Sequence, residues 1–251
     1  MFAVLVVCAG AAIAQLAARP QPLKSGIDFS GADLRALQND EFANPAMLWV
    51  ERGSALWNQP VGKENRACAS CHGEVGGMKG AATRYPQIDK GGGLLNLEDR
   101  IRQCRERRQQ AAPFNFESEE LLALTALVRM QSRGMPMVIS IGGESRAYFE
   151  RGRDFYYSRS GQMNLACAHC HQENWGKKLG PETISQGHGN AYPAYRLEWQ
   201  TMGSLQRRFR SCLSGVRAEM LPYGATEYLD LELYLAWRSG KLPIETPGVR
   251  R

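Results

Sequence analysis

Two Cys-x-x-Cys-His runs, at residues 68–72 and 167–171, are the part of this sequence with the clearest chemistry. In such a run the two thiols can add to the vinyl groups of a haem, and the adjacent histidine offers a neutral imidazole nitrogen to the iron. We therefore predict two covalently bound haem c groups. The predicted attachment residues are Cys68, Cys71, Cys167 and Cys170, and the predicted iron ligands on one side are His72 and His171.

A Cys-x-x-Cys pair can also bind zinc or act as a redox disulfide. Zinc would need two such pairs close enough to share one tetrahedron, and a thioredoxin-like site would need a βαβ setting. The sequence shows neither context. Haem attachment is therefore favoured at both runs.

Two further cysteines, Cys104 and Cys212, follow the two runs, one after each. In an oxidising compartment two remaining cysteines commonly pair as a disulfide. Each of these cysteines, however, has an arginine four residues earlier, Arg100 or Arg208, which a helix places on the same face. Because cationic neighbours lower the pKa of a thiol and favour the metal-binding thiolate, we favour ligation of haem iron over a disulfide.

Methionine is the usual second iron ligand of small cytochromes, and Met135 with Pro136 resembles their Met-Pro loop. The corresponding stretch of the second half, residues 241–243, contains no methionine. An electron-transfer cytochrome with His/Met haems and a Cys104–Cys212 disulfide therefore remains the alternative. A dihaem peroxidase would need an open side on its active haem, which the matched cysteines would fill.

The elements around the two runs repeat along the chain. Glu-Arg-Gly at residues 51–53 recurs at 150–152, an offset of 99 that also separates the two haem runs. Cys104 recurs as Cys212 at an offset of 108, so the nine extra residues fall in the glycine-rich loop between run and cysteine. Apolar residues recur at helical spacing and strand alternation is short. The repeat predicts a mainly α fold of two tandem cytochrome c-like domains from an internal duplication.

Four segments follow from this repeat. Residues 44–142 are predicted to form the first haem domain and residues 143–251 the second. Residues 15–43 are an extension without recognisable chemistry. Residues 1–14 lack charge, are almost wholly apolar and end in Ala-Ile-Ala, which predicts an export signal and a periplasmic location.

Composition limits the possible partners. The net charge of +6 and the pI near 9.0 could indicate a nucleic-acid partner, but the sequence has no known binding motif for one. The positive charge more plausibly attracts anions or acidic protein surfaces. No second apolar run is long enough to span a bilayer, so no membrane span is expected in the mature chain.

The second half contains the most specific sequence pattern. Residues 208–212, 216–219 and 221–224 read Arg-Phe-Arg-Ser-Cys, Val-Arg-Ala-Glu and Leu-Pro-Tyr-Gly. Together with both haem runs and the two additional cysteines, they make residues 45–251 resemble the SoxA subunits of the SoxAX cytochromes. These are the thiosulfate-oxidising c-type cytochromes of sulfur bacteria.

The resemblance implies His/Cys coordination of both haems, with Cys104 opposite His72 and Cys212 opposite His171. It implies that Cys212 carries a persulfide and forms the reactive centre, and that Arg208 binds thiosulfate. The implied reaction couples thiosulfate oxidatively to a cysteine of the carrier protein SoxYZ, with two electrons leaving through haem. The implied partner is SoxX, a smaller cytochrome c, in a heterodimer.

Overall fold

The computed structural model describes residues 19–251, and the export signal predicted at residues 1–14 lies outside them. The helices are α1 (Ala32–Asn39), α2 (Met47–Asn58), α3 (Ala69–His72), α4 (Leu97–Gln109), α5 (Glu119–Met130), α6 (Ser145–Tyr157), α7 (Cys167–His171), α8 (Leu205–Gly215) and α9 (Thr226–Arg238). Single turns of 3-10 helix occur at Gly26–Phe29, Val75–Met78 and Ala81–Arg84. Within the described residues, no helix combines the length and apolar character that a membrane crossing requires.

The strands are short: β1 (Gln87–Ile88), β2 (Leu94–Leu95), β3 (Lys178–Leu179), β4 (Glu182–Thr183), β5 (Ala194–Arg196), β6 (Thr201–Gly203) and β7 (Gly248–Arg250). Antiparallel pairs form between β1 and β2, between β3 and β4, and between β5 and β6. Strand β7 adds to β5 in parallel, so the last residues of the chain complete a three-stranded sheet. The mainly α prediction is confirmed, and the strands lie in the loops between the helices.

Side-chain caps begin the two helices that hold the additional cysteines. The Asn96 side chain accepts a hydrogen bond from the backbone N–H of Asp99 at the start of α4, which holds Cys104. The Ser204 side chain accepts from the backbone N–H of Arg207 at the start of α8, which holds Cys212. Each cap satisfies a backbone donor that would otherwise lack a partner and fixes where its helix starts.

The repeated Glu-Arg-Gly motif marks close helix contacts. Helix α2 packs on α5, and α6 packs on α9. A Cβ atom on Gly53 would overlap the carbonyl oxygen of Ala123, and one on Gly152 would overlap that of Asp230. Both helix pairs thus approach closely because the motif ends in glycine. The same helix order follows both haem runs, while the internal duplication itself stays a prediction.

We expect Gly152→Ala to lower the free energy of unfolding by at least about 2 kcal/mol, because the added methyl group must push α6 away from α9. Equilibrium unfolding in denaturant measures this change. Gly142→Ala is the matched control, since a Cβ atom there would meet nothing within 4 Å. The control should stay within about 0.5 kcal/mol of the parent. Equal stability of the two variants would contradict the close-packing explanation.

The two ends of the chain pack together. The backbone N–H of Val249 donates to the Gln38 side chain at 3.1 Å, which joins β7 to α1. Ahead of β7, Ile244 exchanges two backbone hydrogen bonds of 2.9 Å with the loop after α5, one from Gly134 and one to Met135. The final residues of the predicted second domain therefore contact the predicted first domain directly.

Helices α4 and α8 also meet at a buried polar cluster. Glu232 of α9 accepts hydrogen bonds from Asn96 at 3.1 Å and from Gln206 at 2.7 Å. Burial raises the pKa of Glu232 to about 7 and that of neighbouring Glu98 well above its usual value. The buried guanidinium of Arg129 lies beside both carboxyl groups. The starts of the two cysteine-bearing helices are thus joined through one side chain of α9.

Candidate functional site

The second haem run forms α7 and holds His171 in a defined orientation. Its Nδ1 lies 2.8 Å from the carbonyl oxygen of Ser185, which accepts its proton and leaves Nε2 with the lone pair. Burial lowers the pKa of His171 to about 4, so the imidazole is neutral at neutral pH. The backbone of Gly187 also lies against the ring, since a Cβ there would be 2.7 Å from the His171 Cγ. This arrangement suits a metal ligand.

Three thiols converge beside this histidine. Burial raises the pKa of Cys167 to about 12, and the neighbouring Cys212 thiol raises it further. The pKa of Cys170 is raised by burial and then by Cys212 as well. The structure therefore places the two predicted attachment residues and the predicted ligand Cys212 in one cluster.

A second cluster surrounds the first haem run. Burial, followed by the Cys104 thiol, raises the pKa of Cys68. The pKa of Cys104 is itself raised by burial, which outweighs the opposing effect of Arg100. Arg100 thus lowers the Cys104 pKa as expected, but burial makes the net shift upward. A coordinated metal ion would deprotonate the thiol outright.

The two additional cysteines belong to different clusters. Every cysteine among residues 19–251 is a free thiol. Cys104 lies beside Cys68, whereas Cys212 lies beside Cys167 and Cys170. A Cys104–Cys212 disulfide, which the electron-transfer alternative requires, is not the arrangement in this structure.

The proximal sides of the two clusters differ. His72 lies on the surface, and its ring is 5.8 Å from the ring of Trp57. The Trp57 Nε1–H donates to the carbonyl oxygen of Gly73 at 3.0 Å. The described part of the chain records no hydrogen bond to the His72 ring, in contrast to the carbonyl that orients His171. The first site is therefore more open on its histidine side.

The two arginines that precede the cysteines also differ. Arg100 forms a 2.5 Å ion pair with Asp89 and a hydrogen bond to Gln103. Arg100 lowers the pKa of Asp89 to about 2. Arg208 is half-buried, and Cys212 is the largest contribution that raises its pKa. Within residues 19–251 the structure records no ion pair and no hydrogen bond for the Arg208 guanidinium. The charge beside Cys212 is thus available to an anion.

The other ligand candidates have different surroundings. Both ring nitrogens of buried His188 are engaged, at 3.0 Å from the Ser239 hydroxyl and 3.1 Å from the Gln186 side chain. Met135 directs its terminal methyl group towards Gly80, in the loop after the first haem run. Across residues 19–251, no group of three or more His, Cys, Asp or Glu side chains is arranged to hold a metal ion directly.

One residue of the second site was missed in the sequence. Arg238, the last residue of α9, is completely buried and donates to the carbonyl oxygen of His171 at 2.9 Å. Its position at the end of an otherwise apolar helix face gave no signal of a role.

The second cluster contains the thiols of Cys167, Cys170 and Cys212 and the oriented, neutral imidazole of His171. This donor set fits covalent haem c with His/Cys ligation.

Comparison with known proteins was consistent with this site. The profile of the family described as "SoxA/TsdA, cytochrome c domain" matches residues 52–137. The L-cysteine S-thiosulfotransferase subunit SoxA of Pseudaminobacter salicylatoxidans is 40% identical over 230 residues, 90% of this chain and 80% of the relative. The SoxA subunit of Rhodovulum sulfidophilum is 37% identical over 239 residues, 94% of this chain and 83% of the relative.

A solved structure is also similar. A chain in the crystal structure of SoxXA from P. pantotrophus aligns with a TM-score of 0.91 and 36% identity. The alignment covers 95% of the chain described above and 90% of the crystallised one. The similarity therefore extends over almost the whole length of both chains.

Proposed function

We propose that this chain, which belongs to the SoxA family of thiosulfate-oxidising cytochromes, is the catalytic subunit of an L-cysteine S-thiosulfotransferase. In this proposal the enzyme joins thiosulfate to a cysteine of a SoxYZ-like carrier protein. The relatives at 40% and 37% identity are named as subunits of that enzyme. Thiosulfate conjugation at the second cluster is the function that the geometry supports best.

The observation that supports this proposal is the difference between Arg208 and Arg100. Thiosulfate is a dianion, and a guanidinium group can give its oxygens planar, charge-assisted hydrogen bonds. Arg100 is already neutralised by Asp89. Arg208 lies beside Cys212 and forms no ion pair within residues 19–251, and the nearby carboxylates of Glu198 and Glu182 pair with Arg196 and Arg251. It can therefore attract thiosulfate to that sulfur. The second cluster is therefore the substrate site, and the first is not.

The proposed reaction has two steps at Cys212, which the family resemblance gives as a persulfide. In the first step, the outer persulfide sulfur and the terminal sulfur of thiosulfate form a bond, and two electrons are removed. In the second step, the thiolate of the carrier attacks the sulfur bound to the sulfonate group. The carrier leaves as the S-thiosulfonate, and Cys212 regains its persulfide. The carrier thiol loses one proton, and the net oxidation is by two electrons.

The chain supplies residues that fit two haem groups. Cys68 and Cys71 would attach the first group, and Cys167 and Cys170 the second. His72 and Cys104 would bind the iron of the first group, and His171 and Cys212 that of the second. Bound haem would supply the electron acceptor for the two-electron oxidation. The protein's own part is to hold the anion at Arg208, to keep the His171 ring oriented, and to shield the reacting sulfur by partial burial.

The proposed partners and location follow from the same family. The crystallised relative is a SoxXA complex, so we infer that this chain forms a heterodimer with a SoxX-like cytochrome c. The predicted signal at residues 1–14 and covalent haem attachment favour the periplasm. The positive net charge of +6 suits an acidic carrier surface.

Electron paramagnetic resonance of the oxidised, haem-loaded protein should show two low-spin signals of His/thiolate type, because each iron is expected to have one cysteine ligand. Cys104→Ser should remove one signal, and Cys212→Ser should remove the other. A pyridine haemochrome assay, which counts haem, accompanies the spectra. His/Met signals that persist in both variants would favour the electron-transfer alternative with Met135 as a ligand.

A further inference from the structure

Arg238 occupies an unusual environment for a charged side chain. It is completely buried at the end of α9, behind the second haem run. Its guanidinium carbon lies 5.1 Å from the centre of the Tyr156 ring. Its Nε has no recorded hydrogen-bond partner. Burial of a charge without compensation costs free energy, so such a residue requires an explanation.

The Arg238 guanidinium donates hydrogen bonds to both segments that hold His171. One terminal nitrogen donates to the carbonyl oxygen of His171 at 2.9 Å and to the Gln172 side chain at 2.7 Å. The other donates to the carbonyl oxygen of Gln186. Gln186 directly follows Ser185, whose carbonyl accepts the His171 ring proton. Arg238 therefore joins the histidine to the segment that sets its orientation.

The positive charge of Arg238 is not balanced locally. Within residues 19–251, no carboxylate forms an ion pair with this side chain, and its guanidinium lies within hydrogen-bond distance of the His171 backbone. Arg129 on α5 is the contrasting case, since it is also buried but lies beside Glu98 and Glu232. Uncompensated charge in a low-dielectric site acts strongly on neighbouring groups.

We propose that Arg238 is a positioning residue of the second haem that orients His171 and, through its uncompensated charge, raises the reduction potential of that haem. This inference rests on the proposed binding of haem at the second run. Positive charge nearby favours the ferrous form, because that form has one positive charge less than the ferric form. The effect opposes that of a thiolate ligand, which favours ferric iron. The open His72 site has no such arginine recorded against its histidine.

Spectroelectrochemical titration of the full-length, haem-loaded protein tests this role with two variants at the same position. Arg238→Gln removes the charge but keeps hydrogen-bond donors. Arg238→Lys keeps the charge but loses the planar group that reaches three acceptors. We expect the second haem of the Gln variant to have a lower reduction potential. At the wild-type midpoint its ferric-to-ferrous ratio should be at least about tenfold higher, which is equivalent to about 59 mV for one electron.

The expected result for Arg238→Lys is a potential close to the wild-type value. The first haem should keep its potential in both variants. Equal shifts of the reduction potential in the Gln and Lys variants would overturn the charge effect and leave Arg238 only a packing role. An unchanged potential in the Gln variant would overturn the charge effect as well. If the Gln variant does not incorporate the second haem, a tenfold shift in the Lys variant still refutes the proposal. Absence of haem from the second run of the wild-type protein, shown by mass spectrometry of the haem peptides, would instead refute the proposed function.

Discussion

Cys212→Ala is expected to abolish the thiosulfate-dependent modification of the carrier thiol, with at least about a thousandfold loss of rate, because the sulfur on which the new S–S bond forms is gone. Mass spectrometry of the carrier after incubation with thiosulfate and an electron acceptor measures the product. No other thiol outside the attachment pair lies in the second cluster, so no neighbouring side chain can replace it.

Loss of an iron ligand must be separated from loss of a reacting sulfur. Cys212→Met provides this separation, since methionine can ligate haem iron but has no thiolate. It should be as inactive as the alanine variant while its haem stays low-spin. Cys104→Ala is the matched control in the first cluster and should retain substantial turnover. An active Cys212→Met variant would remove Cys212 from the reaction and leave it only a ligand.

Arg208→Ala is expected to raise the thiosulfate concentration required for half-maximal rate by at least about tenfold. Hydrogen bonds to charged groups contribute about 1.5–3 kcal/mol each, and the guanidinium can make more than one to a thiosulfate dianion. Steady-state kinetics at fixed ionic strength measure the change. Arg208→Lys should recover part of the loss, because it keeps the charge but not the planar donor pair.

Arg100→Ala is the control that the chain itself provides. Arg100 occupies the matching position on α4, but its charge is engaged by Asp89. Its removal should leave the thiosulfate dependence within about twofold of wild type. Equal effects of the Arg100 and Arg208 variants would mean that general surface charge, rather than a site beside Cys212, attracts the substrate.

The repeat singled out Cys104 and Cys212 in the sequence, and in the structure they lie in different clusters. This was possible because helical spacing is local information that survives in sequence. The different surroundings of Arg100 and Arg208 could not be predicted in this way. Asp89 lies in the glycine-rich loop after the first run, and only the folded β1–β2 hairpin brings it to Arg100.

The contacts of Arg238 and of the two motif glycines also could not be predicted from the sequence. Gly152 was recognised because it repeats, but its purpose, contact with the backbone of Asp230, became visible only when α6 and α9 were packed. Arg238 does not repeat, and its acceptors lie in two separate segments of the chain. Interactions that depend on loop closure and on distant carbonyls leave no periodic mark in sequence.

The pairing of Ile244 with the loop after α5 has a consequence for biosynthesis. Ribosomes release the chain from its N terminus, so residues 44–142 emerge long before the segment that pairs with Gly134 and Met135. Any folding of this half that begins before the chain is complete therefore proceeds without its final backbone partners. A chain shortened before Ile244 should have a complete set of haem-binding cysteines and yet leave its earlier-made half with an unfinished edge.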